Sequence, residues 1–204
     1  MFQNPGGVQS LLKEGGKHFS GLDEAVLKNI EAVSDISRKT ATSFGPNGAK
    51  KLVINHIGKQ FVTSHASTIL EEMEVMHPAA NLVRMAVKNQ TEEFGDGTNY
   101  LIVLAGCLIR EAEELLKQGF HLNDISAGFE LALEKSMNLL ETDMVRWTCA
   151  DMRNPEELKT CMMAAVAAKH YGSMELIDTF VSSAMQVMPK DPKKFDIDNV
   201  RVAK

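Results

Sequence analysis

The chain has 204 residues, enough for one domain with its own core and part of a second. A composition of 44% hydrophobic and 24% charged residues excludes wholesale disorder. The net charge of −5, with Lys and Arg dispersed along the chain, argues against binding of nucleic acid by phosphate neutralisation and against an anionic membrane surface.

The start, "MFQNPGGVQS", has neither a basic stretch nor an apolar run and does not read as a secretory signal. Apolar residues at 22, 26, 30, 33 and 36 form one helical stripe, predicting a helix from Leu22 to about Ser43. "FGPNG" (44–48) stops it. "KLVINHIGKQFVTS" (51–64) predicts a hairpin turning at Asn55–Lys59. Helices resume at "STILEEMEV" (67–75) and at "HPAANLVRMAVKNQTEE", where Pro78 suits a first helical turn. After "FGDGT" (94–98), a mostly apolar helix is predicted from Thr98 to Lys117, ending at Gly119. Its stripe covers nearly every face over Tyr100–Leu108, predicting the central core helix. The apolar run at 100–109 is about half of what spans a bilayer. Another amphipathic helix is expected over 123–141, with Asn123 as its N-cap.

The polar stretch "TCADMRNPEE" (148–157) marks the expected domain boundary. Helices from Pro155 to about Lys169 and from Ser173 to Met188 follow, then a loop (189–195) and a strand-like "FDIDNVRV". That strand has no partner downstream, which predicts a truncated chain. The twelve methionines predict a core filled by flexible side chains. Cys107, Cys149 and Cys161 are odd in number, with no zinc spacing, and are read as reduced thiols of a cytosolic protein.

Among features that could carry chemistry, "GDGT" ranks first. Its glycines admit a close ligand, Asp96 is a hard oxygen donor suited to Mg²⁺, and the helix starting near Thr98 would offer N–H groups to a phosphate. An ordinary turn with a capping acid is the competing reading. "FGPNG" is a second glycine loop, matching neither a P-loop nor a strand-borne dinucleotide motif. Lys169 reads as dipole compensation at a helix end. The six histidines show no HExxH-type pairing, so His65 reads as a polar residue beside a helix start, and "DIDN" (196–199) lacks the glycine and distal glutamate of a calcium loop.

Together, "FGPNGAKKLVINHIGKQFVTSHASTILEEMEVMHPAANLVRMAVKNQTEEFGDGTN" resembles the group II chaperonins, the family of the eukaryotic cytosolic chaperonin and the archaeal thermosome. The likeness runs from about Val8 to Lys204, in the family's order. It implies a mainly α, multihelical equatorial ATP-binding domain with one β-hairpin, here its first half at residues 1–147. It further implies the first α+β segment of an intermediate domain at 148–204, with the apical domain absent. The implied cofactors are ATP and Mg²⁺. The implied partners are other chaperonin subunits in a hetero-oligomeric double ring and, through it, unfolded client proteins in the cytoplasm.

Residue by residue, the resemblance assigns Phe44, Gly45, Pro46 and Gly48 to the first nucleotide loop and Asp96 to Mg²⁺. It assigns Gly97, Thr98, Asn99 and Tyr100 to the phosphate-cradling turn, and Lys169 to sensing of the γ-phosphate. Ala168 stands where the family has serine. The family reads "TNDAATIL" or "TNDGATIL" where this chain reads "TSHASTIL", so His65 takes the place of a water-positioning aspartate. Because phosphoryl transfer rests on positioning and charge placement, the exchange predicts binding with slow hydrolysis. Two other classes remain open: a truncated paralogue serving as a non-catalytic interaction module, and an unrelated helical adaptor with structural glycine turns. Missing partner segments also predict exposed apolar surface and marginal solubility.

Overall fold

The computed structural model describes residues 22–169, 176–189, 191 and 194–196. It is mainly α-helical. In chain order the elements are α1 (Leu22–Ala41), β1 (Lys51–Ile54), β2 (Gln60–Thr63), α2 (Ala66–Glu72), α3 (Pro78–Phe94), α4 (Thr98–Lys117), α5 (Leu122–Thr142), α6 (Pro155–Ala167) and α7 (Ile177–Val187). The described residues divide into two compact units. The first runs to Phe44 and resumes over Gly48–Ala127; the second holds Gly45–Asn47 and the residues from Gly128 on.

In the first unit, the α1 stripe delivers Ile30, Val33 and Ile36 to the interior, as its spacing predicts. Ile36 joins Ala66, Leu70, Ala80, Val87 and Ile102 in one core that draws on α1, α2, α3 and α4. The buried apolar side chains are Ile, Val, Leu and Ala. The expected methionine core is therefore corrected: Met76, Met85, Met137, Met144, Met152 and Met163 are exposed, and branched residues with fewer rotamers fill the interior. The expectation for α4 is corrected in the same way. It packs against α1, α2 and α3, but only Thr98, Ile102, Gly106 and Ala112 are buried, while Tyr100, Leu104 and Leu108 face out.

Local chemistry explains the element ends. Pro78 occupies the first turn of α3, where its missing N–H costs nothing, and His77 Nδ1 accepts the Ala79 N–H at 3.3 Å. Gly95 ends α3 in the left-handed region (φ 68°). The hairpin pairs antiparallel with Lys51 opposite Thr63 and Ile54 opposite Gln60. The Asn55 carboxamide holds its turn, accepting from Ile57 N and Lys59 N. The cap expected at Asn123 is corrected to His121: α5 starts one residue earlier, and the His121 imidazole accepts the Asn123 N–H at 3.2 Å.

In the second unit, Asn154 caps α6 by accepting the Glu156 N–H, with Pro155 next, as the Asn-Pro pair predicts. Lys159 pairs with Asp178 at 2.6 Å, joining α6 to α7. Ile177, Val181 and Ala184 form the buried face of α7. Of the helix expected over Ser173–Met188, the first residues lie outside the described residues. So does most of the expected strand, of which only Phe195 and Asp196 are described, without strand assignment.

Two expectations follow from these contacts. A Cβ on Gly106 would overlap the Ser37 side chain, where α1 and α4 meet. Gly106→Ala is expected to destabilise the first unit by about 1–3 kcal/mol through overpacking. A shift in urea midpoint, recovered in part by Ser37→Gly, checks this. In the second unit the backbone N–H groups of Asp151 and Ala150 hold the Glu157 carboxyl below the usual carboxylate range, against a smaller upward push from burial. A depressed value contributes stability above the unfolded carboxylate range and loses it as pH falls through the folded value. The protection of the Ala150 and Asp151 amides, taken relative to the intrinsic exchange rate at each pH, should therefore be high at neutral pH and fall on acidification. Equal protection in Glu157→Ala would contradict this.

Candidate functional site

The candidate site lies at one edge of the first unit, where the end of α1, the β2–α2 junction and the start of α4 meet. The Asn99 side chain joins them. Its Oδ1 accepts the Ala66 N–H at 2.9 Å, and its Nδ2 donates to Ser43 O at 3.0 Å and Ser64 O at 3.2 Å. Two distant segments of chain, 56 residues from Asn99 at Ser43 and 35 at Ser64, are thereby held around one amide.

The "GDGT" turn is built by glycine. Gly97 is the N-cap of α4 at φ 82°, a conformation in which an L side chain is strained, and a Cβ there would stand 3.1 Å from Gln90 Nε2. Gln90 donates to Asp96 O at 2.8 Å. The Asp96 carboxylate folds back to accept the Gly97 N–H at 2.6 Å. No side chain caps α4. The next residue, Thr98, is fully buried, and its hydroxyl has no hydrogen-bond partner; the buried Ser43 hydroxyl also has none. Buried hydroxyls of this kind are costly to leave unpaired.

Phe44 and Tyr100, both exposed, stack obliquely with ring centroids 6.4 Å apart. Next to Phe44, the loop that ends with Gly48 is closed by the Ala49 N–H donating to Thr42 O at 2.9 Å. Thus Phe44, Gly48 and residues 96–100 share this edge, and His65 stands at it too. His65 is the N-cap of α2 in extended conformation, but by backbone alone: its side chain makes no cap, its N–H donates to Thr63 Oγ1, and its carbonyl accepts from Ile69 N.

Gly45, Pro46 and Lys169 belong to the second unit. Gly45 has φ 82°, which only glycine adopts freely. Lys169 is exposed and follows the Ala168 C-cap of α6, its N–H donating to Val166 O at 3.0 Å.

Sequence reasoning missed three members of this edge. Ser43 and Ser64 contribute backbone carbonyls, which any residue type supplies, so no side-chain signal marks them. Gln90 is a polar residue on a helix and looks like any solvated position until its amide is seen on Asp96 O.

Magnesium is tested by the donor set. Among the described residues no group of three His, Cys, Asp or Glu side chains could hold a metal. Mg²⁺ suits such a place because it is commonly held by one or two carboxylates together with substrate phosphates and waters. An uncapped helix start, a buried unpaired hydroxyl and one carboxylate on the same turn fit a magnesium-bound phosphate.

Comparison with known proteins identifies the family. The model of the TCP-1/cpn60 chaperonin family matches residues 36–204. T-complex protein 1 subunit theta of Arabidopsis thaliana is 49% identical over 206 residues, covering 100% of this chain and 38% of that protein. The theta subunits of Dictyostelium discoideum and Homo sapiens are 44% and 41% identical over 97% of the chain. Their likeness agrees with "HFSGLDEAVLKNIEA", "VINHIGK", "AAKHYG" and "FDIDNVRVAK", segments that look most like that subunit type. The chain spans 36–38% of the length of these relatives. A crystal structure of a group III chaperonin in the open state aligns with TM-score 0.67 and 26% identity, covering 83% of this chain and 33% of that one.

The Asn99 bridge yields a prediction. Asn99→Ala leaves the buried Ala66 N–H unpaired and should cost about 2–4 kcal/mol, taking three hydrogen bonds at about 1 kcal/mol each and the unpaired donor into account. Urea unfolding measures it, and a loss below about 1 kcal/mol would show that the bridge is dispensable.

Proposed function

The chain belongs to the TCP-1/cpn60 chaperonin family, and on that premise we propose that it binds Mg·ATP as a subunit, or part of a subunit, of a ring chaperonin that folds client proteins. The observation that carries this reading is the buried, unpaired Thr98 hydroxyl at the uncapped start of α4, two residues from Asp96. In this reading Gly97, Thr98, Asn99 and Tyr100 cradle phosphates, Asp96 holds Mg²⁺, and Phe44, Gly45, Pro46 and Gly48 border the nucleotide. Lys169 senses the γ-phosphate. Residues 1–147 are the equatorial portion and 148–204 the opening of an intermediate domain. The partners are other ring subunits and unfolded clients, in the cytoplasm; no described helix is long and apolar enough to cross a membrane.

His65 shapes the chemistry. A neutral imidazole accepts a proton, whereas an imidazolium attracts phosphate and orients no attacking water. Hydrolysis is therefore slow while binding persists. A second reading, a non-catalytic paralogue serving as an interaction module, is favoured by the same His65 and by Ala168, which lacks the family's hydroxyl.

Calorimetric titration with Mg·ATP separates these readings. Binding at millimolar nucleotide that weakens at least about tenfold in Asp96→Ala supports the site. Thr98→Val gives a sharper test. Removing an unpaired buried hydroxyl should stabilise the ligand-free chain by up to about 1 kcal/mol while weakening nucleotide binding. Binding unchanged in both variants would sink the proposal. His65→Asp should raise hydrolysis by about tenfold or more, and equal rates would remove the slow-hydrolysis reading.

A further inference from the structure

Cys149 and Cys161 are twelve positions apart in sequence, yet the fold of the second unit brings them to one place. The Glu157 carboxylate receives the N–H of Ala150 at 2.8 Å and of Asp151 at 3.1 Å, drawing the chain beside Cys149 onto α6. Glu157 and Cys161 are four residues apart on α6 and so lie on the same face, one turn apart. Cys149 faces both of them. Both thiols are free, Cys149 half-buried and Cys161 exposed.

We propose that Cys149 and Cys161 form a peroxide-responsive thiol pair, closing to an intrachain disulfide that fastens the segment before Asn154 to α6. The exposed Cys161 reacts first. Its thiolate attacks one peroxide oxygen; the S–O bond forms as the O–O bond breaks, and hydroxide leaves, leaving a sulfenic acid. The Cys149 sulfur then attacks the sulfenic sulfur. The S–S bond forms, the S–O bond breaks, and the departing hydroxide takes the Cys149 proton as water. In sum two thiols and one hydrogen peroxide give one disulfide and two waters. Burial, and then the Glu157 hydrogen bond, push the Cys149 thiol above its ordinary pKa, which keeps it protonated at rest and leaves the first step to Cys161; the second step runs through the fraction of Cys149 that has lost its proton. In a reducing compartment such a pair rests open and closes transiently.

The test is hydrogen peroxide treatment of the full chain, alkylation of remaining thiols, and non-reducing peptide mapping by mass spectrometry. The Cys149–Cys161 linked peptide should rise at least about tenfold over the untreated chain, vanish with dithiothreitol and persist in Cys107→Ser. In Cys149→Ser, Cys161 should run on to sulfinic acid. The same treatment in concentrated urea should lose the preference for this pairing. Recovery of Cys149 in alkylated form at the untreated level, dominant pairing through Cys107, or a preference unchanged in urea would overturn the proposal.

Discussion

One carboxamide holds the first unit's functional edge together. The α2 helix starts without a side-chain cap of its own, because the His65 side chain at the N-cap position makes no cap hydrogen bond. The Ala66 N–H is instead satisfied by Asn99, from the first turn of α4. A cap that most helices take from a neighbouring residue is here a tertiary contact, so α2 is anchored only when α4 is in place. The same amide, by donating to Ser43 O and Ser64 O, satisfies two carbonyls of irregular chain that would otherwise be stranded. Helix start, hairpin exit and α1 exit are thereby interdependent, a network whose members are worth more together than singly.

Much of the fold was legible because its signals are local. The 3.6-residue stripe of α1, Pro78 at the start of α3, the Asn154–Pro155 start of α6 and the hairpin turn all depend on residues within a few positions of one another. Errors arose where composition stood in for packing. Twelve methionines suggested a soft interior, but length and flexibility make methionine as comfortable at a surface, and branched side chains won the core. Asn123 looked like a cap on residue type alone, whereas the His121 ring two residues earlier already satisfied that N–H.

The candidate site was legible in its glycine turns and not in what supports them. "GDGT" declares a close backbone approach through its own residue types. The contacts made by Asn99 cannot be read from spacing, since two of its three partners are backbone carbonyls. The thiols of Cys149 and Cys161 were separate in the sequence for a related reason: Glu157, through two backbone N–H groups, brings them together. The bare apolar side chains of α5, with Leu131 69% and Leu133 63% exposed, agree with an expectation of uncovered surface.

The tight passage of Gly106 beneath Ser37 also has a mechanical consequence. Ser37 lies one turn before the end of α1, and Gly106 lies about 12 Å along α4 from Thr98. Both helices reach the candidate site with their opposite ends, α1 arriving and α4 departing. Where a side chain rests this closely on the facing backbone, neither helix can slide past the other without driving one into the other. Sliding between the two helices is therefore sterically opposed at this point, so a displacement at Thr98 is more readily shared by both helices than absorbed between them.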